Sequence, residues 1–363
     1  MLSLASWLNT LDPVIFKFTD TLAVRWYGVA YLAGFMFAFL VLRALARRAL
    51  ILIPPHRVMD ALMWFIGLTL IGGRLGYIVF YQPALLWTFF DFFPWWGVLA
   101  INKGGMASHG AFVGLVFAAW RVSRGWPAEE PAQTRGDATR IEGGPSTLHV
   151  MDAIALASPI GLFFGRCANF VNGELLGRIV AAPGTPGPWW SVQFPQELLS
   201  AKAPVLSSGQ GRQLHALAES AAPGRPFGVQ LEILVDKAAA YAEQLRPLLS
   251  SRHPSQLYQA TAEGLVLGAI AWGFWARPRR AGFIVAIWLM TYGVLRILTE
   301  VVRLPDDQFA VGRPLGLSRG QWLSVAMTLC GLGLLIWRLR TPGPLIGGWM
   351  SRRASPLAPQ RRG

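Results

Sequence analysis

Seven stretches of this chain are long enough and apolar enough to cross a membrane, and that pattern limits the folds open to it. A helix in hydrocarbon needs about 20 mostly apolar residues, because every backbone N–H and C=O must find its partner inside the segment. The candidate spans are residues 24–42, 58–81, 104–120, 150–171, 254–276, 281–302 and 320–337. Composition agrees, since only 14% of the residues are charged against about 25% in a soluble domain. The first 20 or so residues lack a basic start and a small-residue cleavage site, so no signal peptide is expected there.

The net charge of +14 would suggest nucleic acid if it lay on one polar domain. Instead the basic residues follow apolar runs, so no nucleic-acid partner is expected. Arg43, Arg47, Arg48 and Arg57 come after the first span, and Arg121 and Arg124 after the third. Arg277, Arg279 and Arg280 follow the fifth, while Arg338, Arg340, Arg352, Arg353, Arg361 and Arg362 follow the seventh. The positive-inside rule sends these ends to the cytoplasm, with the N-terminus outside and the C-terminus inside. The expected fold class is therefore an all-α polytopic membrane protein of about seven transmembrane helices with a small extracytoplasmic head.

Four regions follow from this reading. Residues 1–172 carry spans one to four, with a Pro-, Gly- and charge-rich cytoplasmic linker near 125–148 that is expected to be disordered. Residues 173–253 form the head, with a helix expected over 230–249. Residues 254–340 carry spans five to seven, and 341–363 are a basic cytoplasmic tail. The aromatic loop 87–96 suits the membrane interface better than a crossing. Both cysteines, Cys167 and Cys330, lie in apolar runs, which gives neither a disulfide framework nor metal-type spacing.

Ionisable groups inside spans are costly and are retained for structure or chemistry. In span six, Tyr292, Arg296, Glu300 and Arg303 are spaced four, four and three apart, which stacks them on one helical face. Span four ends with Arg166, Asn169, Asn172 and Glu174 within nine residues. His109 lies early in span three, Tyr27 begins span one, and Arg74 is in the outer half of span two. The expected topology brings all of these to a similar depth near the outer leaflet. Two or three arginines with few carboxylates suit an anion, and the guanidinium fork matches phosphate. A phospholipid head group is the anion at that depth. A neutral histidine nearby can take a proton from a nucleophile.

Taken singly, each residue also has a structural reading. Arg166 can snorkel, Arg296 and Glu300 can be a simple ion pair, and Asn169 and Asn172 can cap or bridge helices. His109 can pack, Arg74 and Arg303 can serve topology, and His253 can order the start of span five. His56, His149 and His215 are expected in loops. Gly67, Gly72, Gly73, Gly76 and the glycines of span three read as close helix packing.

Residues 165–177, Gly-Arg-Cys-Ala-Asn-Phe-Val-Asn-Gly-Glu-Leu-Leu-Gly, resemble the signature of the bacterial prolipoprotein diacylglyceryl transferases. Supporting likenesses are Trp26-Tyr27-Gly28, Gly104-Gly105-Met106 followed by Ser108-His109-Gly110, and Arg252-His253-Pro254-Ser255-Gln256-Leu257-Tyr258. Tyr292-Gly293 with Arg296 and Glu300, and residues 12–16, also match. The likeness runs through all seven spans in order. The linker, the head and the tail are longer than is usual for that family.

The resemblance implies a transferase of the bacterial inner membrane that moves the diacylglyceryl group of phosphatidylglycerol to the lipobox cysteine of a prolipoprotein signal peptide. Such an enzyme releases glycerol-1-phosphate and takes the first step of lipoprotein maturation. No metal or cofactor is expected. Arg166 and Arg296 would hold the phosphate and His109 would be the base. Tyr27 and Asn169 would position the head group, and Glu174 and Glu300 would orient the arginines. Asn172, Gly177, Tyr292 and Arg303 complete the expected substrate-binding set. Two alternatives remain open at this stage: an acyltransferase using Cys167 as nucleophile, and a lipid or anion transporter.

Overall fold

The structure is a computed structural model that describes residues 6–18, 23–91, 93–100, 104–127, 141–142, 145–200, 203–304 and 317–350. In chain order, strands β1 (Trp7–Leu8), β2 (Val14–Lys17) and β3 (Ala23–Arg25) precede helices α1 (Trp26–Arg47), α2 (Val58–Phe80) and α3 (Ser108–Ser123). A short ribbon, β4 (Trp126–Pro127) with β5 (Ile141–Glu142), leads to α4 (Thr147–Val171). Then come β6 (Ile179–Ala181), β7 (Val192–Gln193), α5 (Ser208–Ala221), α6 (Phe227–Asp236), α7 (Ala242–Leu245) and β8 (Ser251–Arg252). Helix α8 (Ser255–Gln259) continues through a π-helical segment (Ala260–Val266) into α9 (Leu267–Phe274). Strand β9 (Arg279–Arg280), α10 (Phe283–Glu300), α11 (Arg319–Arg340) and β10 (Leu345–Ile346) complete the described chain.

Among the described residues, five helices are long and apolar enough to cross a membrane: Trp26–Arg47, Pro55–Phe80, Thr147–Val171, Phe283–Glu300 and Gly320–Arg340. The chain is thus a mostly helical, polytopic membrane protein. The other two apolar runs are also helical, but differently built. Helix α3 has 16 residues, about 24 Å at 1.5 Å per residue, short of a hydrocarbon core of about 30 Å. The fifth run is divided by its π-helical turn. Most of the expected linker lies outside the described residues.

The chain divides into two compact units, each holding part of several long helices. One comprises Met1–Gly34, Pro159–Ala269 and Leu289–Cys330. Its polar segment closes on a core of Leu8, Leu214, Ala218, Leu234, Leu245, Leu248 and Leu249. Here the expected helix over 230–249 proves to be parts of α6 and α7 separated by a turn. Helix α5 was not anticipated, although its start carries a capping box between Ser207 and Gln210. A four-stranded sheet runs in the order β1-β7-β8-β6, with β1 and β7 parallel and the other pairs antiparallel. It ties the chain start to the end of α4. Asn9 Nδ2 donates to the Phe170 carbonyl at 2.8 Å, and Trp7 stacks on Phe170 at 5.5 Å.

The other unit comprises Phe35–Ser158, Ile270–Trp288 and Gly331–Gly363. Helices α2 and α3 meet there through glycines. A Cβ on Gly76 would fall 2.8 Å from Gly110 Cα, and one on Gly114 would meet the main chain of Leu68. Gly67 differs from the expectation of close packing, because no atom lies within 4 Å of its would-be Cβ. Replacing Gly114 by Val should therefore lower the thermal midpoint of the purified protein by the equivalent of about 1–3 kcal/mol of overpacking. Gly67→Ala should leave it within error, and equal losses at both positions would contradict this packing.

Buried polar groups in this unit bind backbone. The Arg74 guanidinium donates to the carbonyls of Gly97, Val98, Gly104 and Gly105 at 2.6–3.0 Å, shaping the approach to α3. Arg74 therefore has a structural role. Asp152 accepts the N–H groups of Gly282 (2.7 Å) and Val285 (2.8 Å), satisfying donors that the start of α10 would otherwise leave open. His149 lies in α4 rather than in a loop, and its Nε2 accepts from the Leu52 N–H at 3.0 Å.

Candidate active site

The polar end of α4 is shaped by how that helix stops. Gly173 N–H bonds to the Phe170 carbonyl (3.1 Å) and Glu174 N–H to the Asn169 carbonyl (3.0 Å). This pair of bonds is a Schellman ending, which places its third residue from the helix end beside the residue that follows the glycine. Gly173 takes φ +66°, and a Cβ there would also run into the Gln196 side chain. The turn carries Glu174 back over Asn169, so their side chains meet at 3.2 Å.

Around that turn the first group forms. The Tyr27 hydroxyl donates to Glu174 Oε2 at 2.7 Å, and Asn169 Nδ2 donates to the Tyr27 oxygen. Asn172 Nδ2 reaches Glu174 Oε1 at 3.4 Å. Glu174 is thus held by Tyr27 and two asparagines. The expectation that it orients an arginine is corrected, because the Schellman turn directs it to the Asn169 side.

The second group is an ion-pair network. Arg166 grips Glu263 Oε2 with Nε (3.0 Å) and Nη2 (2.9 Å). Arg296 Nη1 lies 3.5 Å from the other oxygen of Glu263, and its Nη2 lies 3.1 Å from Glu300 Oε2. Arg303 Nη1 is 3.4 Å from the same Glu300 oxygen. The expected stripe on α10 is thus formed, and Glu300 does pair with arginines. Tyr292 stands one turn earlier on the same helix.

Glu263 was not singled out from the sequence, yet its side chain is 0% exposed and joins the two arginines. The signal was present: it is a lone carboxylate inside an apolar run, which is the rule that picked out Arg296. Its placement depends on the π-helical segment. Gly264 lies there against Phe163, and an added Cβ would be 3.0 Å from Phe163 Cα. That close approach brings Glu263 to Arg166, three residues further along α4. Extra helical turns of this type are frequent at functional sites.

Gly177 has a packing reason. A Cβ there would strike the main chain of His253, and the residue forms a bridge with Arg303. Arg178 N–H to the Val302 carbonyl (2.9 Å) and Leu304 N–H to the Leu176 carbonyl (3.0 Å) extend that contact. The end of the motif is thereby tied to the end of α10. His253 donates its N–H to the Arg178 carbonyl at 3.1 Å, stacks on Trp190, and its carbonyl accepts the Ser255 N–H at 2.8 Å where α8 begins. Burial together with the Arg178 charge lowers its pKa.

His109 belongs to the other unit, in the first turn of α3. It meets the edge of Phe80 at 4.9 Å and Tyr81 at 5.7 Å. The remaining ten expected site residues lie in the first unit. Three guanidinium groups share two carboxylates in the ion-pair network, an excess of one positive charge. This arrangement offers an anion several hydrogen-bond donors in an apolar setting, where they act most strongly.

Comparison with known proteins points to the same chemistry. The family model described as prolipoprotein diacylglyceryl transferase matches residues 13–337. A phosphatidylglycerol–prolipoprotein diacylglyceryl transferase of Bdellovibrio bacteriovorus is 35% identical over 364 residues, covering 94% of this chain and 97% of that protein. The enzyme of the same name from Neisseria gonorrhoeae is 36% identical over 89% of this chain and 94% of its own length. That of Paraburkholderia phymatum is 35% identical, covering 92% and 94%. The fold, the joined arginines and this match over nearly the whole length agree, and the chain belongs to the prolipoprotein diacylglyceryl transferase family.

Proposed function

We propose that this chain transfers the diacylglyceryl group of phosphatidylglycerol to the lipobox cysteine of prolipoproteins, the first step of lipoprotein maturation. The observation that carries the reading is the Arg166–Glu263–Arg296 cluster within a chain that matches the family over residues 13–337. Phosphatidylglycerol and prolipoprotein stand in the names of the relatives.

In the proposed reaction the cysteine sulfur attacks the carbon of the diacylglyceryl unit that is joined to the phosphate. A C–S bond forms, the C–O bond to the phosphate breaks, and glycerol-1-phosphate leaves, the thiol proton passing through His109 to the leaving phosphate. Arg166 and Arg296 hold the phosphate and stabilise the charge that grows on the leaving oxygen. Glu263 and Glu300 keep the two guanidinium planes in place, so little reorganisation is needed as the bond breaks. Tyr27, Asn169, Asn172 and Glu174 position the head group through their hydrogen-bonded set, and Tyr292 and Arg303 border the arginines. His109 takes the thiol proton. The nucleophile comes from the substrate, which makes Cys167 a bystander.

The same reading assigns seven crossings of the bacterial inner membrane, with α3 and the α8–α9 helix joining the five long ones. Spans one, three, five and seven end in arginines and reach the cytoplasm, leaving the N-terminus and the 173–253 head outside. The test is thioether formation from phosphatidylglycerol and a lipobox peptide by the purified protein. Product should persist in Cys167→Ala and fall in His109→Ala. Loss only in Cys167→Ala, or movement of labelled lipid with no thioether, would overturn the proposal.

A further inference from the structure

We propose that the chain segment after α11 forms, with the end of α9, a surface built to bind anionic phospholipid head groups at the membrane interface. It shares no residue with the Arg166 site. The proposal rests on α9 and α11 being membrane-spanning and not on the transfer reaction.

The segment after α11 folds back in a defined way. Strand β10 pairs antiparallel with β9, setting Leu345 opposite Arg280 and Ile346 opposite Arg279. Gly347 and Gly348 take φ of +77° and +88°, which lets the backbone turn against Trp275 and Pro278. Trp349 Nε1 then donates to the Trp272 carbonyl at 3.0 Å, and Met350 N–H to the Ala276 carbonyl at 3.1 Å. Two helix ends and their following segments are thus joined into one surface.

That surface is amphipathic. Leu345, Trp349 and Met350 are exposed, at 65%, 49% and 65%. Among them stand Arg277, Arg279, Arg280, Arg338 and Arg340, and residues 270–288 and 331–350 contain no Asp or Glu. Arg279 and Arg280 of the ribbon therefore have apolar cross-strand partners, while the buried Asp152 of α4, bonded to the Gly282 N–H, lies on the Arg338 side. Arg279 spends its Nε on the Phe274 carbonyl (2.9 Å), and Arg280 spends Nη1 on the carbonyls of Arg338 and Leu339 (3.1 and 3.0 Å). These bonds hold the guanidinium groups at the helix ends with other N–H groups still to satisfy. Apolar side chains beside clustered arginines, with a tryptophan between, match the boundary between acyl chains and anionic head groups.

The test uses the full-length protein in phosphatidylcholine nanodiscs with increasing phosphatidylserine, an anionic lipid with a different head group from the proposed donor. Thermal stability should rise with phosphatidylserine in the wild type. In Arg277→Gln/Arg340→Gln the phosphatidylserine needed for half the effect should increase roughly fivefold for each arginine removed. Both arginines are exposed and lie outside the helix-end bonds, so the fold is kept. Arg166→Ala should retain the response. An unchanged response in the double variant, its loss in Arg166→Ala, or an equal rise with soluble polyaspartate would overturn the proposal.

Discussion

Arg166→Ala is expected to lower turnover of phosphatidylglycerol by roughly 10²–10³-fold, the cost of removing one preorganised donor to a developing anion. Arg166→Lys should recover little of it. The guanidinium uses its Nε and Nη2 edge on Glu263 and still has donors to offer a phosphate, whereas an ammonium cannot hold both geometries. A simpler explanation of a loss would be the fully buried Glu263 left, among the described ion pairs, with Arg296 at 3.5 Å. The double variant Arg166→Ala/Glu263→Gln separates the two. If the buried charge were the cause, neutralising it would restore turnover. We expect no restoration, together with a folded protein by circular dichroism. Glu263→Gln alone should lose less than Arg166→Ala, because both arginines remain. Turnover of Arg166→Ala within about threefold of wild type would remove Arg166 from the chemistry.

How much of this was legible in the sequence depended on the distance over which each feature is encoded. The long spans are written in a continuous run, so α1, α2, α4, α10 and α11 lie where the apolar residues lie. The α10 stripe is written in spacings of three and four, and the Arg296–Glu300 pair followed directly. The Schellman turn was implicit in Asn172-Gly173, but its consequence for Glu174 was not drawn. Glu263 was legible as a buried charge but not as a partner of Arg166, because a pairing 97 residues apart leaves no local trace. The π-helical turn that positions it has no residue signature of its own. Strands of two to four residues are too short for alternation to register. In the polar segment, low hydrophobicity concealed α5, though its capping box could have revealed it.

The second large effect concerns what holds the far end of the motif. Arg252 and Glu197 are both 0% exposed, and Arg252 Nε meets Glu197 Oε2 at 2.5 Å. Glu197 also accepts the Ser250 N–H at 2.5 Å and the Ser250 hydroxyl, while Arg252 Nη1 donates to the Gly177 carbonyl at 3.0 Å. Breaking a buried pair by removing one partner costs about 3–5 kcal/mol, mainly because the other charge stays buried and unpaired. Glu197→Ala should therefore lower the thermal midpoint on the order of 10 °C. Replacing both residues by apolar ones of similar volume, Glu197→Leu/Arg252→Met, should recover much of that loss, since an apolar pair carries no desolvation cost. Activity should not recover in parallel. The Gly177 carbonyl then lacks its donor, and Gly177 packs on His253 and bridges to Arg303 at the edge of the ion-pair network. Stability regained with turnover still reduced would identify the pair as what fixes the end of the motif against α10. Midpoints that match the wild type in Glu197→Ala would show that the pair holds nothing.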